Sequence, residues 1–309
     1  MFAASLGALL AHSIDYAGIF PPCSLALEPA LQNQARYVRD PDAWMLNNFV
    51  LPVEKFDAAA ATISLFGQKH PLRISALGGK SADKDEFLAV LKIAVDKIRS
   101  FSADHLDLVS ISQLEMPLPH DVDLESLARI GSTLKGLELQ AFWETPVDSA
   151  EKTIALLAGH NLQTSAPPFG YKLRTGGVTA DAFPTSQQIA RALVGAAKHR
   201  VPSKFTAGLH HPIRQFRDEV ATKMHGFLNV LGAAVLATEH DWDKQQTSEM
   251  LEDEDAGSFL FSDDSFTWRE WKIATDQIKA RRNLATSFGS CSFDEPREDL
   301  RALNLLTNN

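Results

Sequence analysis

The residues with the most chemical potential in this chain are two lysines set in matching surroundings. Tyr171-Lys172-Leu173-Arg174-Thr175-Gly176-Gly177 is answered about thirty residues later by Ser203-Lys204-Phe205-Thr206-Ala207-Gly208-Leu209-His210-His211. Each stretch reads as a short strand, and 184–200 between them reads as a helix, which makes a βαβ unit. Side chains alternate across a strand. Lys172 and Arg174 therefore share one face, with Tyr171 and Leu173 on the other. Lys204, Thr206, Gly208 and His210 likewise oppose Phe205, Ala207 and Leu209. The apolar sets suit packing beneath helices. The lysines must then look to the inside of the sheet, where charged groups are rare unless they are paired or functional.

An amine must be neutral to attack a carbonyl, and free lysine, with a pKa near ~10.4, is a cation at neutral pH. Burial and a second nearby cation both depress that value. Neighbouring strands lie about 4.8 Å apart, so Lys204 is placed to act as that cation for Lys172. The two lysines therefore read as the floor of an active site. A pair of structural, salt-bridged lysines is the plain alternative.

To position these groups the chain alternates strand and helix about eight times. Strand-like runs fall at 9–14, 44–51, 72–77, 106–111 and 137–142, then the two lysine stretches, with 258–261 the best candidate for an eighth strand. Helical patterns fall at 25–39, 54–66, 83–101, 123–134 and 149–158; in 83–101 the residues Phe87, Val90, Leu91, Ala94 and Ile98 recur with helical period. Beyond Pro212, the nearly all-apolar 227–238 reads as a buried helix and the acidic 249–255 as a solvated face. A last long helix is expected over 268–284 and a short one over 296–306. The pattern predicts one (βα)8 TIM-type barrel over 1–309, with 285–309 as a C-terminal extension of loop and helix packed on it. No Gly-x-Gly-x-x-Gly follows the first strand, which leaves a dinucleotide-binding sheet without support. In such barrels the chemistry sits at the carboxyl ends of the strands. The candidates there are Asp15, Asp107, Glu115, Glu144, Lys172, Arg174, Lys204, His210, His211, Asp263 and Asp264.

The 309 residues are 45% hydrophobic, ample for a large core. A net charge of −9 argues against nucleic-acid binding, which calls for a basic face. The two cysteines, Cys23 and Cys291, lie far apart without metal-ligand spacing and fit a reducing, cytoplasmic setting. The apolar 1–11 lacks the basic flank of a signal peptide, and no stretch approaches a membrane span. These features point to a small-molecule partner rather than nucleic acid or membrane. A homo-oligomer stays open, because 227–238 is apolar enough to serve an interface.

Four segments resemble the class I aldolases of the deoxyribose-phosphate aldolase type. Ile14-Asp15-Tyr16 is similar to that family's first-strand Ile-Asp motif, and Ala103-Asp104-His105-Leu106-Asp107-Leu108-Val109 to its fourth-strand Ala-Asp-x-apolar-Asp-x-Val. Lys172-Leu173-Arg174-Thr175-Gly176 resembles its Lys-x-x-Thr-Gly, and Lys204-Phe205-Thr206-Ala207-Gly208 its seventh-strand Lys-x-x-x-Gly. The resemblance covers about thirty residues in the family's order. It implies a lyase acting on a small anionic carbonyl compound, with Lys172 forming the Schiff base and no cofactor. In this reading Lys204 is the second cation, Asp107 relays protons and Asp15 orients it. Arg174, Thr175, Gly176, Gly177, His210 and His211 are the expected anion-binding residues. Gly289 and Ser290, within Ser287-Phe288-Gly289-Ser290-Cys291-Ser292, are similar to the family's phosphate loop, although a helical pattern rather than a strand precedes them here.

Two other readings stand beside this one. A metal-dependent hydrolase or lyase would draw on His12, His210, His211 and His225 with Asp15, Glu144, Asp263 and Asp264, but no His-x-His or His-Glu-x-x-His spacing occurs. A non-catalytic barrel that binds a small anion would keep Arg174 and Lys204 as a clamp and leave Lys172 an ordinary amine.

Overall fold

In the computed structural model, which describes residues 2–307, seven parallel strands come first in the chain. They are β1 (Ile14–Tyr16), β2 (Leu46–Pro52), β3 (Leu72–Leu77), β4 (Val109–Pro117), β5 (Gln140–Glu144), β6 (Gly170–Arg174) and β7 (Ser203–Thr206). Outside the barrel follow a hairpin of β8 (Gln215–Arg217) and β9 (Thr222–Met224) and an antiparallel sheet of β10 (Phe259–Phe261), β11 (Ser265–Trp268) and β12 (Trp271–Ala274). The strand β13 (Ala285–Ser290) then slots between β7 and β1 and closes the barrel, in the order β1-β13-β7-β6-β5-β4-β3-β2. Eight parallel strands with helices in the connections make this a (βα)8 barrel, as the alternation predicts.

The outer layer forms for ordinary reasons. Helix Lys84–Asp104 is capped by Asp83, whose carboxylate accepts from the Asp85 and Glu86 amides, and it buries Phe87, Leu91, Ala94, Val95 and Ile98. Helix Ser186–His199, which joins β6 to β7, opens with a capping box of Thr185 and Gln188. Beneath these helices the outward residues Tyr171 and Leu173 of β6 and Phe205 of β7 are buried. The alternation of the two lysine strands therefore sorts side chains as expected.

Several boundaries differ from the expected ones, among them β4, which runs over 109–117 rather than 106–111. Residues 258–261 are not the eighth strand: β10 pairs only with β11, antiparallel and outside the barrel. The eighth strand is β13, so 285–290 is strand rather than loop, and a strand does precede Ser290. Residues 268–284 are not one helix but the β11–β12 hairpin, turned at Arg269 with φ 51°, and a short helix Thr275–Arg281. The reason is the helix Phe227–His240, buried over 227–237, whose outer face needs cover. Met250 of helix Lys244–Glu252 and Phe266 of β11 close over its Gly232. Its apolar sequence is thus explained within the chain. The segment 54–66 is broken into helical pieces at 53–55, 56–60 and 63–65. At the N-terminus, helix Ala4–Leu10 replaces the start of the first strand, so Asp15 lies within β1 rather than after it.

Candidate active site

Register brings the charged side chains together. Lys172 on β6 lies level with Lys204 on β7 and with Glu144 on β5, and Glu144 is level with Pro117 of β4, two residues beyond Glu115. All point into the barrel near its carboxyl end. Lys204 is 1% exposed and Asp15 is fully enclosed, so neither charge survives without partners.

Lys204 has four. Its Nζ lies 2.8 Å from Asp15 Oδ2 and 2.5 Å from Glu115 Oε1, and it reaches Gln113 Oε1 at 2.6 Å and Ser75 Oγ at 3.0 Å. The carboxylates are held in turn. Asp15 accepts from Ser287 Oγ at 2.5 Å, Asn47 Nδ2 at 2.9 Å and the Asn48 amide at 3.0 Å, and Ser75 Oγ donates to Glu115 Oε1 at 2.5 Å. Lys172 has two partners, Glu115 Oε2 at 2.9 Å and Glu144 Oε2 at 3.0 Å. The second oxygen of Glu144 accepts from Arg174 Nε at 3.2 Å. Arg174 is half exposed at the rim, and its two terminal amino groups have no protein partner among the described residues.

This corrects the expected electrostatics of Lys172. Burial alone would lower its pKa, but Glu115 and Glu144 outweigh burial and raise it, so the resting side chain is an ammonium. Burial likewise pushes the Glu115 carboxyl up, but Lys172 and Lys204 together overcome that and hold it at about 2. Glu144 is held down, against its own burial, by Lys172 and Arg174. Lys204 does not serve as an isolated second cation, because its charge is absorbed by Asp15 and Glu115.

A cavity of about 300 Å³ opens over this cluster. Its floor is Lys172, Lys204 and Glu115, and Arg174, Gly177, Gly208 and Gly289 stand around it. The opposite wall is apolar, made by Phe20, Pro21, Pro22, Val50 and Leu77. Thr175 does not offer its hydroxyl to the cavity: Oγ1 donates to the Ala207 carbonyl at 2.5 Å and the Thr206 carbonyl at 3.0 Å, tying β6 to the end of β7. At that tie Gly208, with φ +74°, stands against Gly176, and a Cβ on Gly208 would come within 3.0 Å of the Gly176 Cα. The Lys-x-x-Thr-Gly and Lys-x-x-x-Gly patterns thus describe one clamp between two strand ends.

Four expected site residues are turned elsewhere. Asp107 is exposed in the turn before β4, with φ 70°, at the opposite end of the barrel from Lys172. The carboxylate that β4 brings to the lysines is Glu115. His210 and His211 turn away to the helix Asp294–Ala302, His210 Nδ1 to Glu295 at 3.0 Å and His211 Nδ1 to Asp299 at 2.6 Å. Ser290 Oγ donates to the Ser292 carbonyl, while Gly289 lines the cavity.

The residues of the metal reading are dispersed as well. His12 meets the Leu46 carbonyl, His225 the Pro184 carbonyl, and Asp263 accepts from the Ala4 amide. Among the described residues, no group of three or more His, Cys, Asp or Glu is placed to hold a metal ion. Nor is any helix among them long and apolar enough to cross a membrane.

Ser75 and Gln113 are the partners that the sequence reading missed. Their one signal is a polar residue inside an apolar strand pattern, as in Ile74-Ser75-Ala76. No protein-family model matches the chain, and no curated protein matches it. Among solved structures, it is similar to dihydrodipicolinate synthase from Thermotoga maritima, with 10% identity and a TM-score of 0.37 over 96% of this chain and all of that one. At that identity and score the likeness is too slight to bear on activity.

Proposed function

We propose that the protein is a Schiff-base lyase of the class I aldolase type, acting through Lys172 on a small carbonyl compound that carries a carboxylate. The observation that supports this reading most is the placement of Lys172: a buried amine on the cavity floor, between two carboxylates able to take and return its protons. Lys204, with four acceptors, is the structural member of the pair.

In this mechanism Glu144, the less buried carboxylate, accepts a proton from the Lys172 ammonium as substrate enters. The neutral amine attacks the carbonyl carbon. The carbinolamine oxygen takes one proton from the attacking nitrogen and the second back from Glu144 and leaves as water; the iminium then draws electrons from the bond between the α- and β-carbons, as the β-hydroxyl gives its proton to Glu144 and becomes the carbonyl of the departing fragment. Arg174, two residues beyond Lys172 on the same face, presents its free guanidinium fork to the substrate carboxylate about 6.7 Å along the strand. A carboxylate suits the site better than a phosphate. The helix that follows β13 already carries Asp294 and Glu295 in its first turn, where a phosphate would otherwise be drawn.

One observation favours a second reading, a barrel that binds a small anion without reacting. Lys172 is held as an ammonium by its two carboxylates, which is also what a purely structural lysine would look like. Borohydride trapping separates the two. The protein is incubated with 2-oxo acids and with aldehydes, reduced, and its intact mass read. The lyase reading expects an adduct with a carboxylate-bearing carbonyl compound that disappears in Lys172→Ala. Absence of any adduct across the panel refutes it.

A further inference from the structure

The two cysteines are 268 residues apart in sequence, yet their sulfurs lie 2.7 Å from each other at the edge of the cavity. Cys291 directly follows the last residue of β13, is 5% exposed and lines the cavity. Cys23 is exposed in the loop that leaves β1, and the residues before it, Pro21 and Pro22, form part of the apolar wall. That loop folds back on itself, the Ser24 amide donating to the Phe20 carbonyl and the Leu25 amide to the Gly18 carbonyl. It is joined to β13 at its base by the Ala17 amide, which donates to the Ser290 carbonyl at 2.7 Å. Farther out, the sulfur contact also ties it to the end of β13.

We propose that Cys23 and Cys291 form a redox modification site, a reversible disulfide that clamps the loop 17–25 to the end of β13 at the mouth of the cavity. The oxidant is a small-molecule disulfide. The exposed Cys23 thiolate attacks one of its sulfurs, giving a mixed disulfide and releasing one thiolate, which takes up a proton. The Cys291 sulfur then attacks Cys23, loses its proton to the second departing thiolate, and completes the protein disulfide. The protein gives up two electrons and two hydrogens, and the small disulfide becomes two thiols. The order follows from exposure: burial pushes the Cys291 thiol up to about 12, which makes it a poor first nucleophile, while contact with Cys23 makes it the nearest resolving group. A disulfide bond of about 2.05 Å requires only a small approach of the two sulfurs. The proposal is independent of the carbonyl chemistry.

The test uses the full-length protein and oxidised glutathione, followed by alkylation under denaturing conditions and intact mass. The expected product is lighter by two hydrogens, carries no alkylated thiol, and yields one cross-linked peptide containing Cys23 and Cys291. It melts higher by roughly 5 °C, because the cross-link closes a loop spanning most of the chain. Deuterium uptake in 17–25 falls on oxidation, and dithiothreitol reverses each change. Cys23→Ser, a surface substitution that leaves the core untouched, shows none of them. A lasting glutathione adduct on Cys23 with Cys291 still open to alkylation, or a dimer linked through Cys23, overturns the site. An internal disulfide without reduced uptake in 17–25 overturns the clamp.

Discussion

Lys172 and Lys204 sit level on adjacent strands of one cavity floor, but the barrel interior surrounds them differently. Lys204, although it also lines the cavity floor, is saturated: two carboxylates, an amide oxygen and a hydroxyl take up its ammonium, and each carboxylate has further donors. Around Lys172 the interior is open: two carboxylates hold the amine from the side, one of them near the rim, and the cavity lies above. Identical residue types in matched register therefore differ in what their partners leave free. A saturated lysine holds the barrel together, and a lysine with two partners and an open side keeps chemistry within reach.

The comparison breaks most sharply at Lys204. Lys204→Met leaves Asp15 a buried carboxylate without a cation, which we expect to cost about 3 to 5 kcal/mol in urea denaturation. Lys172→Met should cost less, about 1 to 3 kcal/mol, because Glu115 keeps Lys204 and Glu144 keeps Arg174. It should nonetheless abolish every trapped adduct, whereas a Lys204 variant that still folds should keep some. Equal losses of stability would erase the distinction between the two lysines.

Titration sharpens the same contrast. Glu115 has a folded pKa of about 2, below its ordinary 4.5. The stability it contributes is present above 4.5 and is lost as pH falls toward 2. Urea midpoints measured across that window should drop steeply in the wild-type protein and less steeply in Lys172→Met. At the other end, the Lys172 pKa is raised, so its ion-pair stabilisation is complete below the unfolded value and is lost only as pH climbs through the folded one. The trapping rate should accordingly keep rising with pH beyond neutrality; a plateau at or below pH ~7 would mean a depressed lysine instead. The smallest effect is expected from Glu144→Gln. It lies near the rim, so the stability change should stay below about 1 kcal/mol, while the maximal trapping rate falls with loss of the proton acceptor and the alkaline rise moves to lower pH.

The barrel and the inward lysines were legible because their signals are local. Period-two alternation in β6 and β7 and helical period in between need no knowledge of the rest of the chain. Glu115 was harder to place. An extra residue interrupts the pairing of β4 with β3, where Ile74 meets Ile111 but Ser75 meets Gln113. Alternation counted from Asp107 therefore cannot be carried through to Glu115, and the carboxylate that matters lies beyond the irregularity. The eighth strand was hidden differently. Ala285-Thr286-Ser287-Phe288-Gly289-Ser290 is short of branched apolar residues, while the outer β11 and β12 are richer in aromatics. His210 and His211 read as ligands because nothing near them in sequence announces Glu295 and Asp299, which lie one helical turn apart on the C-terminal helix.

Closure of the barrel also sets an order of events as the chain is made. Strand β1 must find β13, and the bond from Ser287 to Asp15 spans 272 residues. Until β13 emerges from the ribosome, β1 and β7 each carry an unpaired edge, and the carboxylate of Asp15 lacks one of its donors. The nascent protein is then an open sheet with an incomplete charged interior, prone to edge pairing with other chains and dependent on whatever shields it in the interval. Contacts this distant in sequence are slow to form, so the final strand should govern the rate of folding as well as the shape of the site.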